Sequence, residues 1–89
     1  MQLARVIGDV VATRKDENLT GMKLLVLQPL TPDRQPAGRP LVAVDTVDAG
    51  VGETVLIVSG SSARMASGMK DCPVDAAIVG IVDAVEIND

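Results

Sequence analysis

Hydrophobic and polar positions alternate along the first part of the chain. Every second residue from 4 to 12 is small and apolar: Ala4, Val6, Gly8, Val10 and Ala12. A period of two is typical of a β-strand. Small side chains suit the inside of a tight barrel, and a glycine gives the strand a place to bend. We therefore predict a first strand over residues 3–13 in a strongly coiled sheet.

The same pattern predicts four further strands, at residues 22–30, 41–47, 53–59 and about 75–87. Turn-forming residues separate them, and the spacing of the third and fourth favours a hairpin. The three prolines within residues 31–40 predict an exposed and mobile loop. Five strands with little helix indicate an all-β fold, a small OB-like closed barrel.

The second, fourth and fifth strands are apolar on both faces. In the second strand, for example, Leu25 and Leu27 oppose Leu24 and Val26. An antiparallel sheet in a monomer usually leaves one face in water. The sequence predicts no helix long enough to cover the second face, so another subunit is the simplest cover.

Composition leads to the same expectation. A chain of 89 residues forms one domain, residues 1–89. Its hydrophobic content is 47%, yet it has no Phe, Tyr or Trp. Aromatic residues bury the most apolar area per side chain, so a small core without them is only marginally stable alone. Neighbouring copies in a ring would supply the missing burial.

Charge and residue content exclude several function classes. The net charge is −4 and aromatic residues are absent, which argues against nucleic-acid binding by phosphate neutralisation or base stacking. No uncharged apolar run reaches the roughly 20 residues that span a bilayer. Arg5 and Asp9 interrupt the N-terminal apolar stretch, which argues against a signal peptide, and the single Cys72 fits a reducing cytoplasm.

Catalytic, metal and cofactor chemistry finds little support. The chain has no His, so Cys72 has no imidazole to activate it. The acidic pairs Asp45 with Asp48 and Asp71 with Asp75 match neither calcium nor zinc spacing. The Gly50-Val51-Gly52 turn precedes a strand rather than a phosphate-binding helix. We predict no enzyme activity, no metal site and no cofactor.

The segment Gly60-Ser61-Ser62-Ala63-Arg64 is the strongest candidate for a functional site. Glycine allows a sharp exit from the fourth strand, serines can cap backbone amides of one short helical turn, and arginine presents a planar set of donors. From the residues alone, an ordinary capped turn with a solvated arginine is the favoured interpretation of the segment.

Several segments, in order, resemble one known family. Residues 3–13 and 74–83 are similar to its first and last strands, and residues 19–25 fit L-x-G-x-K-L. Residues 42–56 resemble the pattern VAVD-x-V-x-AG-x-GE-x-VL, and residues 60–64 match the GSSAR signature. On these motifs the chain is identified as a member of the EutN/CcmL family of bacterial microcompartment vertex proteins. Asp48 departs from the glycine that many members have there.

The resemblance implies a structural protein. Family members form OB-like barrels that assemble into pentamers at the five-fold corners of a cytoplasmic protein shell, which hexameric shell proteins tile elsewhere. A homopentamer and hexameric shell partners are therefore expected. The alternative is a soluble OB-like module that binds a small ligand or a protein, although such binders commonly use aromatic residues that this chain lacks.

A subunit interface around the GSSAR segment follows as a hypothesis. The segment leaves the fourth strand and is expected to project from the barrel. Ser61 and Ser62 would hydrogen-bond backbone groups at the boundary, and Arg64 would reach a carboxylate or carbonyl of the neighbour. The first carboxylates to consider are Asp45 and Glu53, near strand ends. The complete predicted interface set is Gly60, Ser61, Ser62, Ala63, Arg64, Asp45 and Glu53.

Overall fold

The computed structural model of the chain describes residues 1–12, 21–67 and 74–88. Within α1, described below, the side chains of Arg64 and Ser67 lie outside that description. Predictions for residues 13–20 and 68–73, including that for Cys72, lie outside it as well.

Strands β1 (Gln2–Val10) and β2 (Lys23–Leu30) form a long antiparallel pair. The register shifts between Val6 and Gly8, so β1 carries one extra residue, Ile7. Such a bulge bends the strand and changes which side chains face inward. The bend predicted near Gly8 is therefore present. The predicted inner face of small residues is confirmed for Ala4 and Val6, which are buried. Beyond the bulge, Gly8 and Val10 of the same face are only partly buried.

Strands β3 (Leu41–Asp45), β4 (Thr54–Ser59) and β5 (Ala76–Ile81) complete the sheet. The order β1-β2-β3-β5-β4 closes into a barrel, with β3 and β5 parallel and the other pairs antiparallel. The predicted closed five-stranded all-β barrel is confirmed. The predicted hairpin of the third and fourth strands is wrong, because β5 lies between β3 and β4 and pairs with both. Closure satisfies the backbone groups that an open sheet edge would expose.

The fifth strand is shorter than predicted. It ends at Ile81, whose partner is Val55, and one more backbone hydrogen bond joins Val82 N to Thr54 O at 2.8 Å. Strand β4 begins at Thr54, so β5 has no partner to pair with beyond this point. Residues 83–88 therefore leave the barrel without regular secondary structure, although their alternating apolar pattern resembles a strand.

The barrel interior is filled by aliphatic side chains, as the composition predicted. Its buried members are contributed by all five strands and the turn before β4: Ala4, Val6, Leu25, Leu27, Ala43, Ala49, Val55, Ile57, Ala76 and Ile78. Four of the ten are alanines, which allows the walls of so small a barrel to approach closely.

A second apolar cluster lies outside the barrel under helix α1 (Gly60–Ser67). It contains Val44, Ala63, Val74 and Ala77, with Leu24 among the half-buried residues against it. The sequence predicted a single helical turn and no helix able to cover the outer face. The short helical turn is confirmed. Its eight residues also cover part of one outer side of the barrel, for which the sequence predicted another subunit as the cover.

The loop of residues 31–40 is exposed but internally hydrogen-bonded. Thr31 N donates to Gln35 O and Arg34 N donates to Thr31 O, at 2.8 and 2.9 Å. Ala37 N donates to Pro29 O at 2.9 Å, which ties the loop back to the end of β2. These bonds give the exposed loop a defined fold, while its predicted mobility stays a prediction.

Candidate assembly surfaces

The GSSAR segment forms the beginning of α1 and packs back on the barrel. Gly60 has a φ of +63°, a left-handed conformation that glycine adopts without strain, and its N–H donates to Asp75 O at 2.9 Å. Ala63 is 0% exposed in the second cluster. The expectation that the segment projects from the barrel was wrong, since the glycine turn redirects the chain onto β4 and β5.

The outward side of α1 remains available to a neighbour. Ser61, Ser62 and Met65 are exposed, and Met65 retains 77% of its accessible surface. Ser61 and Met65 are four residues apart and share a helix face. Neither serine hydroxyl bonds to a residue within the described ranges. The Arg64 side chain lies outside the described structure, so its contact across a subunit boundary stays a prediction.

Asp45 holds the turn after β3 together. Its Oδ1 accepts from Val47 N at 3.0 Å and its Oδ2 from Ala49 N at 2.7 Å. The side chain is 0% exposed. Because both oxygens are occupied within the chain, the structure gives Asp45 a local role in ending β3 and leaves it inaccessible to the arginine of another subunit.

Glu53 stabilises the turn before β4 in a similar way but stays exposed. Its Oε1 accepts from Gly50 N at 2.7 Å. Gly52, with φ of +93°, lies between them and donates its N–H to Val6 O at 2.9 Å. This confirms the tight glycine turn. One oxygen of Glu53 makes no hydrogen bond to a described residue, so Glu53 remains the better candidate of the two carboxylates.

Lys23 completes this corner, and sequence reasoning missed it. Lys23 pairs with Asp45 across β2 and β3, and its Nζ donates to Ala49 O at 2.6 Å and to Asp48 Oδ1 at 3.3 Å. Nζ also lies 3.5 Å from Asp45 Oδ2. The hydrogen bond with Asp48, helped by the charges of both carboxylates, raises the pKa of Lys23 against a smaller effect of desolvation. The lysine of the L-x-G-x-K-L motif was the available signal.

Asp48 occupies a backbone position that explains why a glycine is expected there. Its φ is +60°, in the left-handed region that disfavours most side chains and is tolerated by aspartate. The carboxylate partly compensates by pairing with Lys23, although Asp48 is 96% exposed. Asp48 therefore adopts a left-handed backbone conformation that glycine would adopt without strain.

The barrel has a second outer side that α1 does not cover. A groove of about 410 Å³ runs along Met1, Gln2, Leu3, Leu30, Pro32 and Leu56. Elsewhere on the outer surface, Ile7 of β1 is 46% exposed, and Val42 of β3, which is 47% exposed, lines a separate surface with Val74. The second and fourth strands are apolar on both faces, as predicted: Leu24 and Val58 pack under α1 on the covered side, whereas Leu56 lines the open groove.

Chemistry at these surfaces is limited. Across residues 1–12, 21–67 and 74–88, no three His, Cys, Asp or Glu side chains are arranged to hold a metal ion. Nor does any helix in those ranges have the length and apolar character to cross a membrane. The arrangement offers turn-stabilising carboxylates and apolar contact surface.

Comparisons with known proteins place the chain in a family. The family model described as "Ethanolamine utilisation protein EutN/carboxysome" matches residues 1–83. The chain is 54% identical to the microcompartment shell vertex protein GrpN of Rhodospirillum rubrum, with 97% of each covered. It is 52% identical to the carboxysome shell vertex protein CcmL of Synechocystis, over 98% of this chain and 87% of the relative.

Solved structures agree with these matches over the whole fold. The pentameric shell protein GrpN of Rhodospirillum rubrum superposes with a TM-score of 0.90 at 51% identity, covering 99% of this chain and all of that one. CcmL of Gloeobacter violaceus gives 0.92 at 42% identity, covering 99% and 91%. Motifs, barrel and comparisons converge, and the chain belongs to the EutN/CcmL family of microcompartment shell vertex proteins.

Proposed function

We propose that five copies of this chain form a ring that caps the five-fold vertices of a bacterial microcompartment shell in the cytoplasm. The role is structural, as in the relatives, rather than enzymatic. The observation that carries it is the full-length likeness to a pentameric shell protein, at 51% identity and a TM-score of 0.90.

Exposed apolar surface on the described residues also supports assembly. The uncovered apolar groove and the exposed Met65 are surfaces that a neighbour in a ring would remove from water.

The subunit boundary is proposed to include the outward side of α1. Ser61, Ser62 and Arg64 would contact the adjacent subunit, with Glu53 as a carboxylate partner for the arginine. Gly60 and Ala63 contribute by shaping and anchoring the helix, while Asp45 serves its own turn. Exposure of both serines and of Met65 supports this assignment.

Hexameric shell proteins are proposed as the partners of the ring's rim. Flat hexagonal tiles cannot close a surface, and pentagonal units supply the curvature. Five copies at −4 give a net charge of −20. The affinity of the ring for hexamers should therefore depend on ionic strength. Pull-down of hexamers across a salt series measures this, and an unchanged yield would exclude electrostatic guidance.

Native mass spectrometry of the purified chain tests the ring itself. We expect a dominant species of five subunits that persists at micromolar concentration. A monomer under those conditions would overturn the proposal and would instead favour a soluble binding module.

A further inference from the structure

The end of the chain forms an arm that the barrel does not use. After Val82 donates its N–H to Thr54 O, residues 83–88 join no strand. The arm alternates in polarity, with Val85 half-buried and Ile87 59% exposed. An exposed apolar segment of this length loses hydrophobic stabilisation unless another surface covers it.

The arm runs away from the groove of its own chain. Strand β5 is antiparallel to β4, so the chain passes Leu56 before it reaches Val55 and then Thr54. The groove lies on the other side of Leu56, around Leu3 and Leu30. No residue of the arm lines the groove in the described structure. A single subunit therefore has a donor segment and an acceptor surface that do not meet.

Charge complements the apolar match. The arm carries Asp83 and Glu86, both exposed. Arg5 lies two residues after Leu3 on the same strand and is exposed, and Arg34 follows Pro32 by two residues in the adjoining loop. Within the described part of the chain, the ion pairs involve Lys23 and neither arginine. Opposite charges at the rim favour correct docking and disfavour other orientations.

Ring symmetry specifies the occupant. In a cyclic ring each boundary joins two different surfaces, so a donor on one subunit meets an acceptor on the next, and the contact repeats until the ring closes. An arm and a groove that do not meet in one chain satisfy this requirement. We propose, given the ring of the proposed function, that the arm (residues 83–88) of each subunit packs into the groove of the next one, with Val85 and Ile87 against Leu3 and Leu56.

Cysteine cross-linking between two chains tests the contact. In a Cys72→Ser background, one variant carries Ile87→Cys in the arm and a second, mass-tagged variant carries Leu3→Cys in the groove. Rings assembled from a mixture are oxidised and run on a non-reducing gel. We expect a cross-linked heterodimer of the two variants, since such a bond can form only between chains. Val85→Cys and Glu86→Cys repeat the test along the arm.

A chain that carries both cysteines distinguishes the alternatives. Docking into the next subunit gives a ladder of cross-linked species up to five. An intramolecular bond, or an intact ring with no bond from any arm position, would overturn the proposal while leaving the ring standing. Loss of the ring in the Cys72→Ser parent and in the unmodified chain would instead contradict the proposed function.

A charge substitution gives a second, independent measurement. Ile87→Asp should raise the concentration at which half the rings dissociate by about tenfold or more, since it places a charge in an apolar contact. Val42→Asp is the matched control, because Val42 is 47% exposed on β3 and no residue of the arm or the groove lines the surface around it. Equal effects of the two substitutions would contradict a specific role of the arm.

Discussion

The outer surface of the barrel differs between the side under α1 and the side around Leu3 and Leu56. Both sides are formed by aliphatic residues, and strands β2 and β4 contribute to each of them. Under α1, Ala63 and Ala77 are fully buried and Val44 nearly so. Around the groove, Leu3 and Leu56 remain half-buried within the chain. The covered side completes the subunit, whereas the open side is the one that we propose a neighbouring subunit covers.

This difference predicts where a substitution affects folding and where it affects the ring. A cluster that the chain closes by itself contributes to the stability of each subunit, because its burial is lost only on unfolding. A surface that a neighbour closes contributes to the concentration dependence of the ring. The predictions below separate the two.

The largest effect is expected for Ala63→Asp. Ala63 is 0% exposed against β4 and β5, so the new carboxylate would be buried without a charged partner. We expect the free energy of unfolding to fall by about 3 kcal/mol or more. Urea unfolding followed by circular dichroism, at one protein concentration, measures the loss.

Ala66→Asp is the control for that substitution, because it changes the same residue type on the exposed side of the same helix. A change of less than about 1 kcal/mol is expected, including the unfavourable position of a negative charge near a helix C-terminus. Similar losses for both variants would show that the packing of α1 does not stabilise the covered side.

An intermediate effect is expected for Arg64→Ala. If the arginine crosses the boundary to a carboxylate such as Glu53, the lost contact is worth roughly 1–3 kcal/mol at each of the ring's boundaries. The ring should then dissociate at higher protein concentration while the β-sheet circular dichroism persists. Analytical ultracentrifugation over a dilution series measures the shift. Dissociation at the parent's concentration would identify Arg64 as a solvated residue.

The sequence is most informative where local alternation decides the structure. The strand that contains Leu25 and Leu27 could be predicted because a period of two places both inside. The length of β5 could not, because the start of its partner at Thr54 decides where pairing ends. Polar and apolar residues continue to alternate as far as Ile87, although no strand pairs with this segment. The sequence pattern does not show whether a partner strand is present.

The candidate site shows the same limit. Exposure of Ser61 and Ser62 agrees with a surface segment. The direction of that segment depends on the left-handed φ of Gly60 and on the cavity that Ala63 fills, both of which arise from the packed barrel. Asp45 was chosen as a carboxylate at a strand end. Its hydrogen bonds to Val47 and Ala49 occur within four residues and could have been anticipated as a turn motif.

The smallest effect is expected for Asp48→Gly, at a corner that neither α1 nor the groove includes. Glycine removes the cost of a φ of +60° but also removes an exposed ion pair with Lys23, a kind of contact that contributes little to stability. The two nearly cancel, so we expect a change in unfolding free energy within about 1 kcal/mol at neutral pH.

Above neutral pH, the pH dependence of the unfolding free energy should differ between the parent and the Asp48→Gly variant. Because the folded pKa of Lys23 is raised, its stabilising contribution is complete below the unfolded pKa and is lost as the pH rises through the folded pKa. Asp48 is the main cause of the raised pKa of Lys23. Without Asp48, the stabilising contribution of Lys23 is smaller and is lost at a lower pH. Urea unfolding from pH 7 to 11 compares the parent with the variant, and parallel stability curves across that range would contradict the role assigned to the Lys23–Asp48 pair.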